Sequence, residues 1–274
     1  MLVSQLHPQL YNLSVLLHRL LRTFKHYINF TKFAHRRLLE PLPFTVKKHK
    51  SLLLRKLGEA DMQLQINKIT NLKLAVEKMN NILIMPGETF SFWKLVGLTT
   101  YKKGYKDGIV LVFDKFQSGL GGGLCQLANL IYWMALHSPL EITERHHHGY
   151  DVFPDLGRVI PFGTGATIFY NYVDLQIYNP TNIIFQLSFS FTEKEIKGQL
   201  LSSEIFPYTY KIFEKDHQYL HDSNENKYYR SNKIFRRVID KVSGNTLQTE
   251  LLYENYLKMS YIPEQENLIL INNT

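Results

Sequence analysis

Apolar residues at Leu10, Leu13, Leu17, Leu20, Leu21 and Phe24 recur every three or four positions, the period of one helix face. Arg19, Arg22 and Lys25 fall on its other faces. Pro41 and Pro43 break the pattern, and a second helical spacing runs from about Ser51 to Asn80 through Leu57, Leu64, Ile69, Leu72, Val76 and Met79. Beyond Asn80 the texture changes. Pro86-Gly87 marks a turn, and short apolar or aromatic runs then read as strands: Thr89 to Phe92, Ile109 to Phe113, Ile142 to His148, Ala166 to Tyr170, Leu175 to Tyr178 and Ile183 to Thr192. One helix, Cys125 to His137, interrupts them, and Tyr208 to Phe213 with Ile234 to Val242 predict a β-rich tail.

These elements predict an α+β fold: a mixed core of short strands around the helix that starts at a Gly-rich Cys motif, preceded by a helical N-terminal region. The expected division is a basic helical region over 1–80, a central domain over 81–200 and a β-rich extension over 201–274.

Charge separates the first of these from the rest. Residues 1–60 hold 11 Lys and Arg against Glu40 and Glu59, a net of +9 in a chain whose total is +8. A local excess of cations attracts anionic surfaces, so residues 1–60 offer two readings: a solvated helix packed on the body, or peripheral contact with an anionic membrane. Nucleic acid is not expected as a partner, because no reading module or zinc finger accompanies the basic residues. No uninterrupted apolar run is long enough to span a bilayer, and the first basic residue, Arg19, follows the early apolar stretch instead of preceding it as in a secretory signal. With a single cysteine, Cys125, no intramolecular disulfide can form. The expected location is cytoplasmic, with peripheral attachment at the inner membrane face as an option within it.

Gly121, Gly122 and Gly123 stand directly before Leu124-Cys125, so the cysteine falls at a helix N-terminus. Unpaired amides and the helix dipole there favour a thiolate, and the backbone from Gly123 to Gln126 is a candidate oxyanion site. The glycines would let an extended acyl substrate approach the sulfur. A phosphate-binding loop would need a Lys-Ser/Thr pair at its end, which this motif lacks. A buried structural cysteine under a tight turn is the plain alternative.

Downstream, Glu144-Arg145-His146-His147-His148 follows a strand start, and alternation puts Glu144, His146 and His148 on one face. A thiol at neutral pH is mostly protonated, and His148 or His146 could take its proton and return it to a leaving group. Cys125 with His146 and His148 could instead ligate zinc, although the spacing fits no standard zinc signature; no metal and no cofactor is expected. Arg145 and Arg158 are candidates to hold a carboxylate or phosphate.

The chain resembles the VanW family in four blocks: Pro86-Gly87-Glu88-Thr89-Phe90-Ser91-Phe92, Gly121-Gly122-Gly123-Leu124-Cys125-Gln126-Leu127, Glu144-Arg145-His146-His147-His148, and Gly165-Ala166-Thr167 with Asp174-Leu175. The likeness covers about residues 84–195, within the central 81–200 segment. It implies a connection to peptidoglycan and vancomycin resistance, with some family members acting as cysteine-dependent L,D-transpeptidases. It carries over Cys125 as nucleophile and peptidoglycan stem peptides or their precursors as partners. The expected activity is a cysteine-dependent acyl transfer or hydrolysis, with non-catalytic precursor binding as the alternative. Where many members have Asp before the Ala-Thr pair, this chain has Gly165, so either Asp174, Asp151 or Glu144 orients the imidazole or the site has no third member. The expected catalytic set is Cys125, His148, His146 and Asp174; the expected substrate-binding set is Gly121, Gly122, Gly123, Gln126, Arg145 and Arg158.

Overall fold

The computed structural model describes residues 8–28, 30–54, 62–112, 115–147, 149–152, 159–263 and 268–271. In chain order the elements are α1 (Pro8–Ile28), β1 (Phe44–Leu52), α2 (Met62–Met79), β2 (Ile82–Ile84), β3 (Thr89–Ser91), α3 (Phe92–Val96), β4 (Asp107–Val112), β5 (Lys115–Leu120) and α4 (Cys125–Leu136). They continue as β6 (Glu141–Glu144), β7 (Tyr150–Asp151), β8 (Gln176–Tyr178), β9 (Phe185–Phe191), β10 (Glu195–Ser202), β11 (Tyr208–Asp222), β12 (Lys227–Asp240), β13 (Thr246–Met259) and β14 (Ile269–Ile271). The mixed α+β class expected from the sequence is therefore the observed one.

α4 is buried on nearly all sides from Leu127 to Leu136, as a helix apolar all round must be. It packs on β1, β10 and β6. At Gly198 of β10 an added Cβ would stand 2.8 Å from Met134 Cε, so the missing side chain is what lets the helix lie close to the sheet. Leu72, Val76 and Met79 of α2, Ile82 and Ile84 of β2 and Phe185 and Leu187 of β9 close the same core.

Among the described residues the strands form four sheets. The strand order β1-β10-β9-β2 is antiparallel throughout, β3-β8-β6 forms a second antiparallel sheet, and β4-β5 is a hairpin. The fourth sheet, β14-β11-β12-β13-β7, is a meander of three long strands with a short parallel strand at each edge. β7 is tied to it by a buried ion pair: Arg230 of β12 donates to Asp151 at 3.2 Å, and the Tyr261 hydroxyl donates to the same carboxylate at 2.9 Å. Asp151 is thereby engaged by this sheet.

Three local differences from the sequence reading have physical causes. The helical spacing expected from Ser51 starts instead at Met62, and residues 44–52 are a strand on β10. Its Lys47, Lys48 and Lys50 suit the unpaired edge of the sheet, where charge discourages further pairing. Residues 142–148 do not continue as one strand: β6 ends at Glu144 after a register shift, and His146 makes an isolated bridge to Thr167. Likewise 166–170 contributes only single bridges, at Thr167 and Phe169.

Candidate functional site

Cys125 opens α4 at the end of the glycine turn, where the sequence put it. The three glycines have packing causes. Gly121 and Gly123 adopt positive φ, +73° and +90°, which side chains resist. Gly122 lies against Gly108 of β4 so closely that a Cβ on Gly108 would stand 2.5 Å from the Gly122 carbonyl oxygen. At Gly123 the Lys68 side chain occupies the place of a Cβ. Asn71, fully buried on α2, donates to the Lys106 and Gly122 carbonyls at 2.9 Å each and accepts from the Lys106 amide at 2.9 Å. Close approach of backbone to backbone accounts for Gly122, and positive φ for Gly121 and Gly123. Asn71 carried no signal beyond being polar at a helical core position.

The turn also sorts the candidate oxyanion donors. The Gln126 amide donates to Gly123 and that of Leu127 to Leu124, at 3.1 and 3.0 Å. This removes Gln126 from the expected donor set and leaves the Gly123, Leu124 and Cys125 amides at the helix start. The Gln126 side chain donates to Ser51 Oγ at 2.9 Å and to the Leu52 carbonyl at 2.6 Å, so it ties β1 to α4 and not to a ligand.

Cys125 is half-buried against the core, and its thiol points to the Ile168 carbonyl, with sulfur and oxygen 4.0 Å apart. Burial pushes the thiol above its ordinary value. Desolvation outweighs the backbone hydrogen bonds at Ile168 and Cys125 that act in the other direction, which runs against the thiolate expected at this helix start.

His146 stands on the segment beside this contact, since its carbonyl accepts from the Thr167 amide at 2.8 Å, one residue before Ile168. Its imidazole is half-exposed, with Nε2 3.3 Å from Glu144 Oε1. Glu144 is held from three sides. Arg22 of α1 donates to both its oxygens at 2.5 and 2.7 Å, and the Asp174 amide donates to Oε1 at 2.9 Å. Burial by itself would raise the Glu144 pKa, but these partners more than offset it and hold the carboxyl below its ordinary value. The carboxylate beside the imidazole is thus Glu144.

Asp174 does different work. Its carboxylate accepts from Ser91 Oγ at 2.5 Å, the Trp93 amide at 3.1 Å and Gln176 at 3.2 Å, which organises the start of α3. Burial raises its pKa in spite of these donors. It meets the imidazole only through Glu144, and so does not fill the catalytic place expected for it.

Arg145 is likewise engaged. It donates to the Gly163 and Gly165 carbonyls, the latter at 2.9 Å, and its guanidinium lies over the Tyr253 and Tyr132 rings at 4.2 and 5.1 Å. It staples β6 to β13 and is not presented to a ligand carboxylate. His148 and Arg158 lie outside the described residues. Among the described residues no cluster of three or more His, Cys, Asp or Glu is arranged to hold a metal ion.

The sequence reading missed Arg22 as a site residue. Its signal was the spacing Val15, Arg19, Arg22, His26, a second stripe of helical period opposite the leucines.

Comparison with known proteins gives two kinds of match. The family model described as VanW like protein matches residues 67–201, which include the glycine turn, Cys125, Glu144 and His146. The chain is 36% identical over 209 residues to the Vancomycin B-type resistance protein VanW of Enterococcus faecalis, covering 76% of this chain and 75% of that one. It is 31% identical over 112 residues to the uncharacterized protein YoaR of Bacillus subtilis, covering 41% of this chain and 35% of that one. No solved structure matches it.

Proposed function

This chain belongs to the VanW-like protein family, and from that premise we propose that it is a vancomycin-resistance-related protein performing cysteine-dependent acyl transfer or hydrolysis on peptidoglycan stem peptides or their precursors. The observation that supports the chemistry is that thiol and imidazole segments adjoin: Cys125 Sγ faces Ile168, next to Thr167, whose amide binds His146.

A thiol whose resting form is protonated needs a base at the moment of attack. In this reading the Cys125 proton passes to His146 as sulfur bonds to the peptide carbonyl carbon. The Leu124 and Cys125 amides receive the charge that develops on the carbonyl oxygen. Collapse expels the amine, which leaves with the proton from imidazolium, and a thioester remains. A second amine or water, deprotonated by the same ring, then bonds to the thioester carbon; the C–S bond breaks, and sulfur takes its proton back from imidazolium. Glu144, itself fixed by Arg22, orients the imidazole.

Intact-mass analysis after incubation with stem peptides and cytosolic precursors tests this. The expected result is an acyl adduct on the wild-type chain, absent from Cys125→Ala and formed about a hundredfold more slowly in His146→Ala. Iodoacetamide labelling should speed up only above the usual thiol range, in line with the raised Cys125 value. The enclosed sulfur favours one rival, a precursor-binding accessory protein with an inert thiol. Retention of wild-type precursor binding by Cys125→Ala, with no adduct on either chain, would replace the catalytic reading with that one.

A further inference from the structure

A helix on a protein surface ordinarily turns its apolar stripe inward. α1 does the reverse. Its inward stripe is Val15, Arg19, Arg22 and His26: Arg19 donates to the Tyr170 carbonyl at 3.1 Å, Arg22 to Glu144 and to the Tyr172 carbonyl, and the His26 ring lies 5.0 Å from that of Phe33. Its outward stripe is Leu13, Leu17, Leu20, Leu21, Phe24 and Ile28, each more than half exposed. Polar anchoring thus holds a continuous apolar surface away from the body, and Phe30, just beyond the helix, adds to it at 85% exposure.

We infer that this outward face of α1 docks in the plane of an anionic lipid bilayer. Charge favours that occupant over a second copy of the chain. Residues 1–39 contain no Asp or Glu, and Lys25 on α1 and Lys32 and Arg36 after it are exposed. Two such faces brought together would set cations against cations, whereas lipid phosphates would neutralise them. No described helix is long and apolar enough to cross a membrane, and with one side of α1 bonded to the body, the helix can only lie along the surface. Because Arg22 both seats α1 and holds Glu144, a docked helix would keep the Glu144–His146 pair on its body side, with α1 between the pair and the lipid. The inference stands independently of acyl transfer.

Co-sedimentation of the full chain with vesicles tests it. Vesicles of phosphatidylcholine with phosphatidylglycerol should bind about tenfold or more tightly than phosphatidylcholine alone, and added salt should erode the difference. Leu17→Glu combined with Leu20→Glu should weaken binding about a hundredfold, with circular dichroism and thermal unfolding unchanged because both side chains are exposed. Equal binding by parent and double variant overturns the inference. So does failure to bind either vesicle, whether light scattering finds a monomer or a dimer that the double variant dissociates; the dimer would assign the face to a second copy.

Discussion

Gly122 and Gly108 touch backbone to backbone, and this contact sets the height at which Cys125 enters α4. A methyl at Gly122 would meet the Gly108 carbonyl group, and neither partner is a side chain that could turn away. Gly122→Ala should therefore cost more than about 3 kcal/mol of stability in denaturant unfolding, the range of severe overpacking. Gly149, with nothing within 4 Å of an added Cβ, is the matched control, and Gly149→Ala should be near neutral. An equal effect at both positions would refute the packing account of the glycine turn.

The attachment of α1 to the body rests on few groups, and the central one titrates. Glu144 has a folded pKa below its ordinary value, so it contributes stability that is complete above the ordinary carboxylate range. That contribution fades as pH falls through the depressed folded value. Protonation leaves Arg22 facing a neutral acid, and α1 should loosen before the α4 core does. Hydrogen exchange should show α1 amides losing protection in acid, with Glu144→Gln showing the same loss at neutral pH. Because the pair is partly exposed, the effect of the variant should be about 1–2 kcal/mol. Unchanged α1 protection in Glu144→Gln would assign the seating to Arg19 and Val15 instead.

Across the molecule, the long C-terminal meander is joined to the preceding chain by the Asp151–Arg230 pair, with both side chains almost wholly buried. Arg230 also lies over the Phe162 ring at 4.2 Å and donates to His217 at 2.8 Å. Removing the carboxylate strands a buried guanidinium, so Asp151→Asn should cost about 3–5 kcal/mol in thermal or denaturant unfolding. A loss below 1 kcal/mol would mean that the edge pairing of β7 contributes little to the stability of this sheet.

What the sequence by itself determined is what repeats along it or punctuates it. The period of α1, the turn at Pro86-Gly87, the start of α4 at Cys125 and the alternation that sets Glu144 and His146 on one side and Arg145 on the other were all readable there. Spacing reports how successive side chains leave the backbone, and that geometry is local. What each face meets is decided elsewhere in the chain. Arg22 finds Glu144 122 positions away, and this long-range bond turns the basic side of α1 inward and its leucines outward. Arg145 looked available for a ligand until the Gly163 and Gly165 carbonyls closed on it. The Cys125 thiol looked ionised at its helix start until packing against the core removed the water that would have solvated its charge. β13, with four Leu and two Glu, became a strand because β12 lies alongside it over most of its length. Only the tertiary structure could decide these, since desolvation and pairing belong to the partners a residue acquires on folding and not to its neighbours in sequence.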